Sequence, residues 1–135
     1  MLMVKASPKP SQIHGLGLFA DEKILKGTTI WKYDPRFDIS YDPTAVEHFP
    51  PSQREYIKSH SYLSKTMGKY IYSIDDSHFT NHSANNSNQT IVQFPGEPDT
   101  CGVASRDIEI GEELLVDYRL FDAHDATNND EYLKT

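Results

Sequence analysis

The sequence has little of several things that would mark a function class. Among its 135 residues there is one cysteine, Cys101, so neither an intramolecular disulfide nor a cysteine zinc cluster can form. No apolar run approaches a membrane span, and Met1 to Pro10 holds none that would serve as a signal peptide. The expectation is an intracellular protein, cytoplasmic or, in a eukaryote, nuclear, with no membrane partner. Cations are few and scattered, as in Lys5 and Lys9 or Lys65 and Lys69. A nucleic-acid binder carries a basic patch or stripe, so direct binding to DNA or RNA is not expected.

What is present is acidity and aromatic content. The net charge is −7 and there are eight tyrosines. A disordered chain is poor in aromatics, and this length suits one folding unit, so residues 1–135 read as a single domain. An acidic surface steers a basic partner such as a lysine-rich tail, or simply keeps the protein soluble.

Along the chain, short β-prone stretches alternate with turns. Leu2, Val4 and Ala6 alternate as a strand that Pro8 and Pro10 should end. Gly15-Leu16-Gly17 reads as a tight turn before Leu18 and Phe19. Between Asp21 and Lys26, Ile24 and Leu25 should turn inward. Thr28 to Trp31 follows the Gly27 turn as a strand. Asp42-Pro43 reads as a helix cap with proline at the first helical position, and Ser52 to His60 as a short helix with Tyr56 and Ile57 facing in. Tyr62-Leu63 and Tyr70 to Tyr72 flank Gly68 as a hairpin. Asn81 to Asn88 reads as a polar loop. Thr90 to Phe94 and Thr100 to Ala104 surround a Pro95 to Pro98 turn. Gly111 leads into a strand from Leu114 to Tyr118. The result is a mainly β fold with a helical insert at about 34–69 and a loose tail at about 122–135.

Four segments carry a resemblance. They are His14 to Ala20, Ile30 to Tyr33, Phe79-Thr80-Asn81-His82-Ser83, and Gly111-Glu112-Glu113-Leu114-Leu115-Val116-Asp117-Tyr118. In this order and spacing the chain resembles the SET domain family over roughly residues 2 to 121. The resemblance implies a β-clip-like fold of small curved sheets with a knot-like C-terminal crossing. It also implies methyl transfer from S-adenosylmethionine to the side-chain amine of lysine in a basic protein, a histone or another. Gly15, Leu16, Gly17 and Leu18 would then hold the cofactor with Asn81, His82 and Tyr118. Tyr118, with Tyr33 beside it, would be catalytic, and Tyr33, Phe79, Val116 and Tyr118 would line the lysine channel. Trp31, Tyr70 and Tyr72 fit either a pocket wall or the core. A SET-like binding module without catalysis is the alternative.

The chemistry suits these groups. Free lysine has a pKa of about 10.4, and a neighbouring sulfonium with a desolvating channel would lower it. Aromatic walls attract the cationic amine, and positioning does most of the remaining work. No metal is needed. The helix-like spacing of His78 and His82 lacks a convincing third ligand nearby. The sequence departs from the family after His82, where Ala84 to Asn88 replaces a Cys-x-Pro-Asn run. It departs again at Val116, where the family often has Phe or Tyr. The cysteine-rich segment that follows some SET domains is missing, so Phe121, Tyr132 or Leu133 would cover the cofactor.

Overall fold

Proline sits inside the first strand rather than ending it. In the computed structural model, which describes residues 1–135, β1 (Ala6–Pro10) pairs antiparallel with β2 (Leu16–Ala20). Asp21 N–H donates to the Lys5 carbonyl and Ser11 N–H to the Gly15 carbonyl. The odd-numbered residues of β1 therefore make the ladder bonds, and the nitrogens of Pro8 and Pro10 point away from β2. An edge strand tolerates this because the missing donors would have had no partner.

The fold is mainly β, built as small sheets. One sheet has the order β3 (Thr29–Trp31), β9 (Cys101–Ala104), β8 (Gln89–Val92). A second has β4 (Asp38–Tyr41), β6 (Tyr70–Ser73), β5 (Tyr62–Leu63). A parallel pair joins β7 (Asn81–His82) to β10 (Leu115–Val116), with Leu115 opposite Asn81 and Val116 opposite His82. The core lies where these meet. Leu18, Ala20, Ile24, Ile30, Ala104, Ile108 and Leu114 are buried together, with Leu2, Val4, Ala6 and Phe79 packed on them. No helix is long and apolar enough to cross a membrane.

The stretch 34–69 contributes β4, β5 and two helices, α1 (Pro43–Glu47) and α2 (Pro51–His60). Asp42 caps α1 by accepting the Thr44 N–H at 2.9 Å. Each helix starts on a proline, whose missing donor is an orphan there anyway. Two inward residues expected from the sequence face outward. Ile57 is buried but Tyr56 is exposed, stacked on His60 with its hydroxyl at 3.2 Å from that of Tyr72. Successive helical residues point about 100° apart, and here only the direction of Ile57 meets the core. Ile24 is buried and Leu25 exposed, since only Ile24 bridges to Ile108.

The C-terminal region differs most from the reading of the sequence. The strand expected to run to Tyr118 is only two residues long, and Tyr118 opens a 3-10 turn, Tyr118–Leu120. Residues 122–135, expected to be loose, pack back onto the domain. Ala123 N–H donates to the Leu63 carbonyl at 2.8 Å, and Leu133 is 1% exposed in a final 3-10 turn, Glu131–Lys134. One buried leucine and a set of hydrogen bonds to the rest of the domain dock an otherwise polar segment, which composition hides.

Candidate active site

The glycine turn is held from below. Gly15 has φ +45°, a left-handed conformation that favours glycine. Gly17 lies within β2, not in the turn, and its missing side chain has another purpose. A Cβ there would fall 1.9 Å from Glu113 Oε1. The space belongs to the Glu113 carboxylate, which accepts from Ser11 Oγ at 2.8 Å and from Asn81 Nδ2 at 2.9 Å. Asn81 Nδ2 also faces the carbonyls of His14 (3.1 Å) and Leu16 (3.2 Å). Three acceptors around one nitrogen settle the orientation of this amide. Asn81 therefore stitches the turn to the centre of the molecule with its donor end.

His82 is clasped on both ring nitrogens. Nδ1 lies 3.0 Å from the Tyr118 N–H, which can only donate. Nδ1 is thus the acceptor, and Nε2 carries the proton toward the Leu133 carbonyl at 3.2 Å. This bond, with that of Ser83 Oγ to the Thr135 carbonyl at 3.1 Å, fastens the tail over β7. The segment 81–88, expected as a polar loop, opens as strand β7 and loops from 83 to 88 with Asn85 and Asn86 exposed and both ends buried. Asn88 Nδ2 donates to the Glu113 carbonyl (2.8 Å) and its Oδ1 accepts from Leu115 N–H (2.9 Å), doing the work of two ladder bonds. His78 ends a 3-10 turn while His82 lies in a strand, so the pair shares no helix face.

Beside β7 and β10 opens a cavity of about 490 Å³, walled by Trp31, Tyr62, Val116, Tyr118, Phe121 and Tyr132. The Tyr118 hydroxyl donates to the Thr80 carbonyl at 2.5 Å. Burial, and then the negative charge of Asp125, hold this phenol well above its usual range, so it stays protonated. Tyr62 donates to buried Asp99 at 2.8 Å, and burial raises it as well. Asp122 and Asp125 also line the cavity. Burial, followed by the charge of Asp125 as the main added repulsion, pushes Asp122 above the ordinary carboxylate value. Lys58, His60, His78 and His124 share the lining with these two carboxylates, and the aromatic faces are what would attract a cation.

Of the residues singled out from sequence, the structure brings Gly15, Leu16, Gly17 and Leu18 to β2 and its turn, tied to Asn81. His82, Val116 and Tyr118 meet across the parallel pair. Tyr33 and Phe79 are not brought to the cavity. Tyr33 lies beyond β3, where Trp31 takes the wall instead, and Phe79 packs on the core cluster. Tyr72 faces Tyr56 on the outer side. Phe121 and Tyr132 reach the cavity and Leu133 is buried beneath. Sequence reasoning missed Tyr62, Asp99 and Gln89. Strand alternation offered a signal for Gln89: it stands two residues before Ile91, and both line the cavity.

Comparison with known proteins bears on this geometry. The model of the SET domain matches residues 15–119. A zebrafish protein, N-lysine methyltransferase KMT5A-A of Danio rerio, is 34% identical over 115 residues, covering 77% of this chain and 32% of its own length. Human histone-lysine N-methyltransferase 2D is 31% identical over 128 residues, covering 85% of this chain and 2% of its own. The chain thus spans about a third of one relative and a small fraction of the other. Among solved structures, a candidate histone methyltransferase of Plasmodium falciparum superposes with a TM-score of 0.57 at 19% identity, over 84% of this chain and 92% of that one. The Chaetomium thermophilum Polycomb Repressive Complex 2, a humanized mutant bound to the inhibitor GSK126, gives 0.59 at 26% identity, over 87% of this chain and 15% of that one.

Proposed function

This chain belongs to the SET domain family, and from that membership we propose that it transfers a methyl group from S-adenosylmethionine to the side-chain amine of a lysine in a basic protein. The observation that carries the reading is the meeting of His82 and Tyr118, 3.0 Å apart through the Tyr118 N–H, beside a cavity walled by aromatic side chains. The residues fit the cofactor chemically. Asn81 spends its donors on His14, Leu16 and Glu113, which leaves Oδ1 as an acceptor suited to an ammonium. The glycine turn and the His82 strand would hold the amino-acid and adenine ends. When bound, the cofactor supplies a methyl group on positively charged sulfur.

The chain's own residues orient and desolvate. Tyr118 holds its proton on the Thr80 carbonyl, so it is not a general base. It offers oxygen lone pairs that fix the amine in line. The aromatic walls exclude water and favour the cation on entry, and Asp122 and Asp125 extend that attraction. Relatives named for lysine and histone-lysine methylation, with the net charge of −7, support a lysine-rich protein as substrate.

The test is radiolabelled methyl transfer to basic proteins, with Tyr118→Phe as the paired variant. Losing the bond to Thr80 should lower stability by about 1 kcal/mol. Turnover should fall by far more than the roughly fivefold that such an energy explains. A variant as active as the parent removes Tyr118 from the mechanism.

A further inference from the structure

Only one buried side-chain polar atom lacks a hydrogen-bond partner, Nε2 of Gln89. A buried donor left unpaired destabilises a fold, and an apolar residue of the same length would remove that loss. Gln89 is 5% exposed, starts β8, and lines the cavity with Trp31, Ile91 and Tyr118. A second observation shows that room is kept for it. Gly102, on the central strand β9, pairs with both Ile91 and Trp31. A Cβ at Gly102 would lie 2.8 Å from Gln89 Oε1. The glycine lets the amide lie across the sheet toward Trp31.

We propose that Gln89 is a substrate-positioning residue whose amide donates a hydrogen bond to a main-chain carbonyl of the peptide bearing the target lysine. The inference rests on the methyl-transfer reading above. The choice of acceptor follows from chemistry. A lysine ammonium has three donors and no acceptor, so it cannot satisfy Nε2. The neutral amine has one lone pair, which must face the methyl group. The hydroxyls of Tyr62 and Tyr118 donate to Asp99 and to the Thr80 carbonyl, and neither accepts from Gln89. A peptide entering as an extended segment brings unpaired carbonyls.

The experiment compares wild type, Gln89→Met, Gln89→Glu and Gly102→Ala, with core histones as the probe. Met keeps the length without the amide, and Glu keeps oxygen without a donor. For Met and Glu the KM for histone should rise about three- to tenfold, with kcat and calorimetric affinity for S-adenosylmethionine little changed. Gly102→Ala should move KM the same way by pushing the amide aside. The melting temperature of Gln89→Met should equal or exceed that of wild type, which a purely structural amide would not allow. An unchanged KM in an active Gln89→Met variant overturns the inference, as does full recovery of KM in Gln89→Glu. A wild type that transfers nothing to any basic protein, histones included, overturns the reading underneath, and the inference falls with it.

Discussion

Asn88 and Gln89 are neighbours in sequence, carry the same amide and are 2% and 5% exposed, yet the fold treats them oppositely. The Asn88 amide is spent at both ends on the backbone of Glu113 and Leu115. Gln89 turns to the other side of the strand, where its nitrogen has no partner. A buried amide that builds structure is paired within the chain, and one facing a cavity is paired by what enters. The contrast between the amide of Asn88, answered at both ends beside the parallel pair, and that of Gln89 on the cavity wall separates scaffold from recognition surface.

Asn88→Leu should break the scaffold side most. It leaves the Glu113 carbonyl and the Leu115 N–H buried and unanswered, at about 3 kcal/mol, which calorimetric melting should show as a drop of roughly 10 °C. Gln89→Met, one residue on, should show none. If both variants melted alike, the contrast would fail.

Gly17→Ala should come next. Its Cβ would meet Glu113 Oε1 at 1.9 Å, dislodging the carboxylate from Ser11 and Asn81 at about 2 kcal/mol. Affinity for S-adenosylmethionine should fall with stability, because the turn loses its tether. Calorimetric titration in a folded Gly17→Ala variant with unchanged affinity would detach the tether from cofactor binding.

The smallest effect belongs to the cavity rim. Burial raises the Asp122 carboxyl above its unfolded value, so the folded state binds the proton more tightly. Stability therefore falls as pH rises from about 4 through the raised value, since the folded state holds more protons there. Asp122→Asn keeps an oxygen for the His124 N–H and removes the charge. It should be more stable than wild type at pH 7, by under about 1 kcal/mol after solvent screening, and no more stable at pH 4. A uniform difference across that range would assign the effect to packing.

Much of this was legible in the sequence, for identifiable reasons. The glycine turns at 27, 68, 96 and 111 all adopt positive φ, and those at 68 and 96 connect the β5–β6 and β8–β9 pairs. The site motifs were legible because Asn81, His82 and Tyr118 recur in one order. Partners set by tertiary packing were not. Tyr33 and Trp31 stand two apart, and only the position of β3 against the cavity decides which forms the wall. Gly17 looked like turn chemistry and is space for a carboxylate 96 residues later in the chain. The tail looked polar because Leu133 is its one buried apolar side chain, and its other anchors are backbone and polar bonds set by the fold.

The tether of Asn81 to His14 spans 67 residues, and the clasp of His82 to Leu133 spans 51. Contacts so distant along the chain form slowly, because closure entropy must be overcome before they stabilise anything. A chain emerging from the ribosome would carry the β1–β2 hairpin and its glycine turn without the Asn81 bonds until that residue appears. Only when Leu133 appears does the Nε2 side of the histidine gain its carbonyl, so a fragment ending before it would leave that nitrogen unanswered.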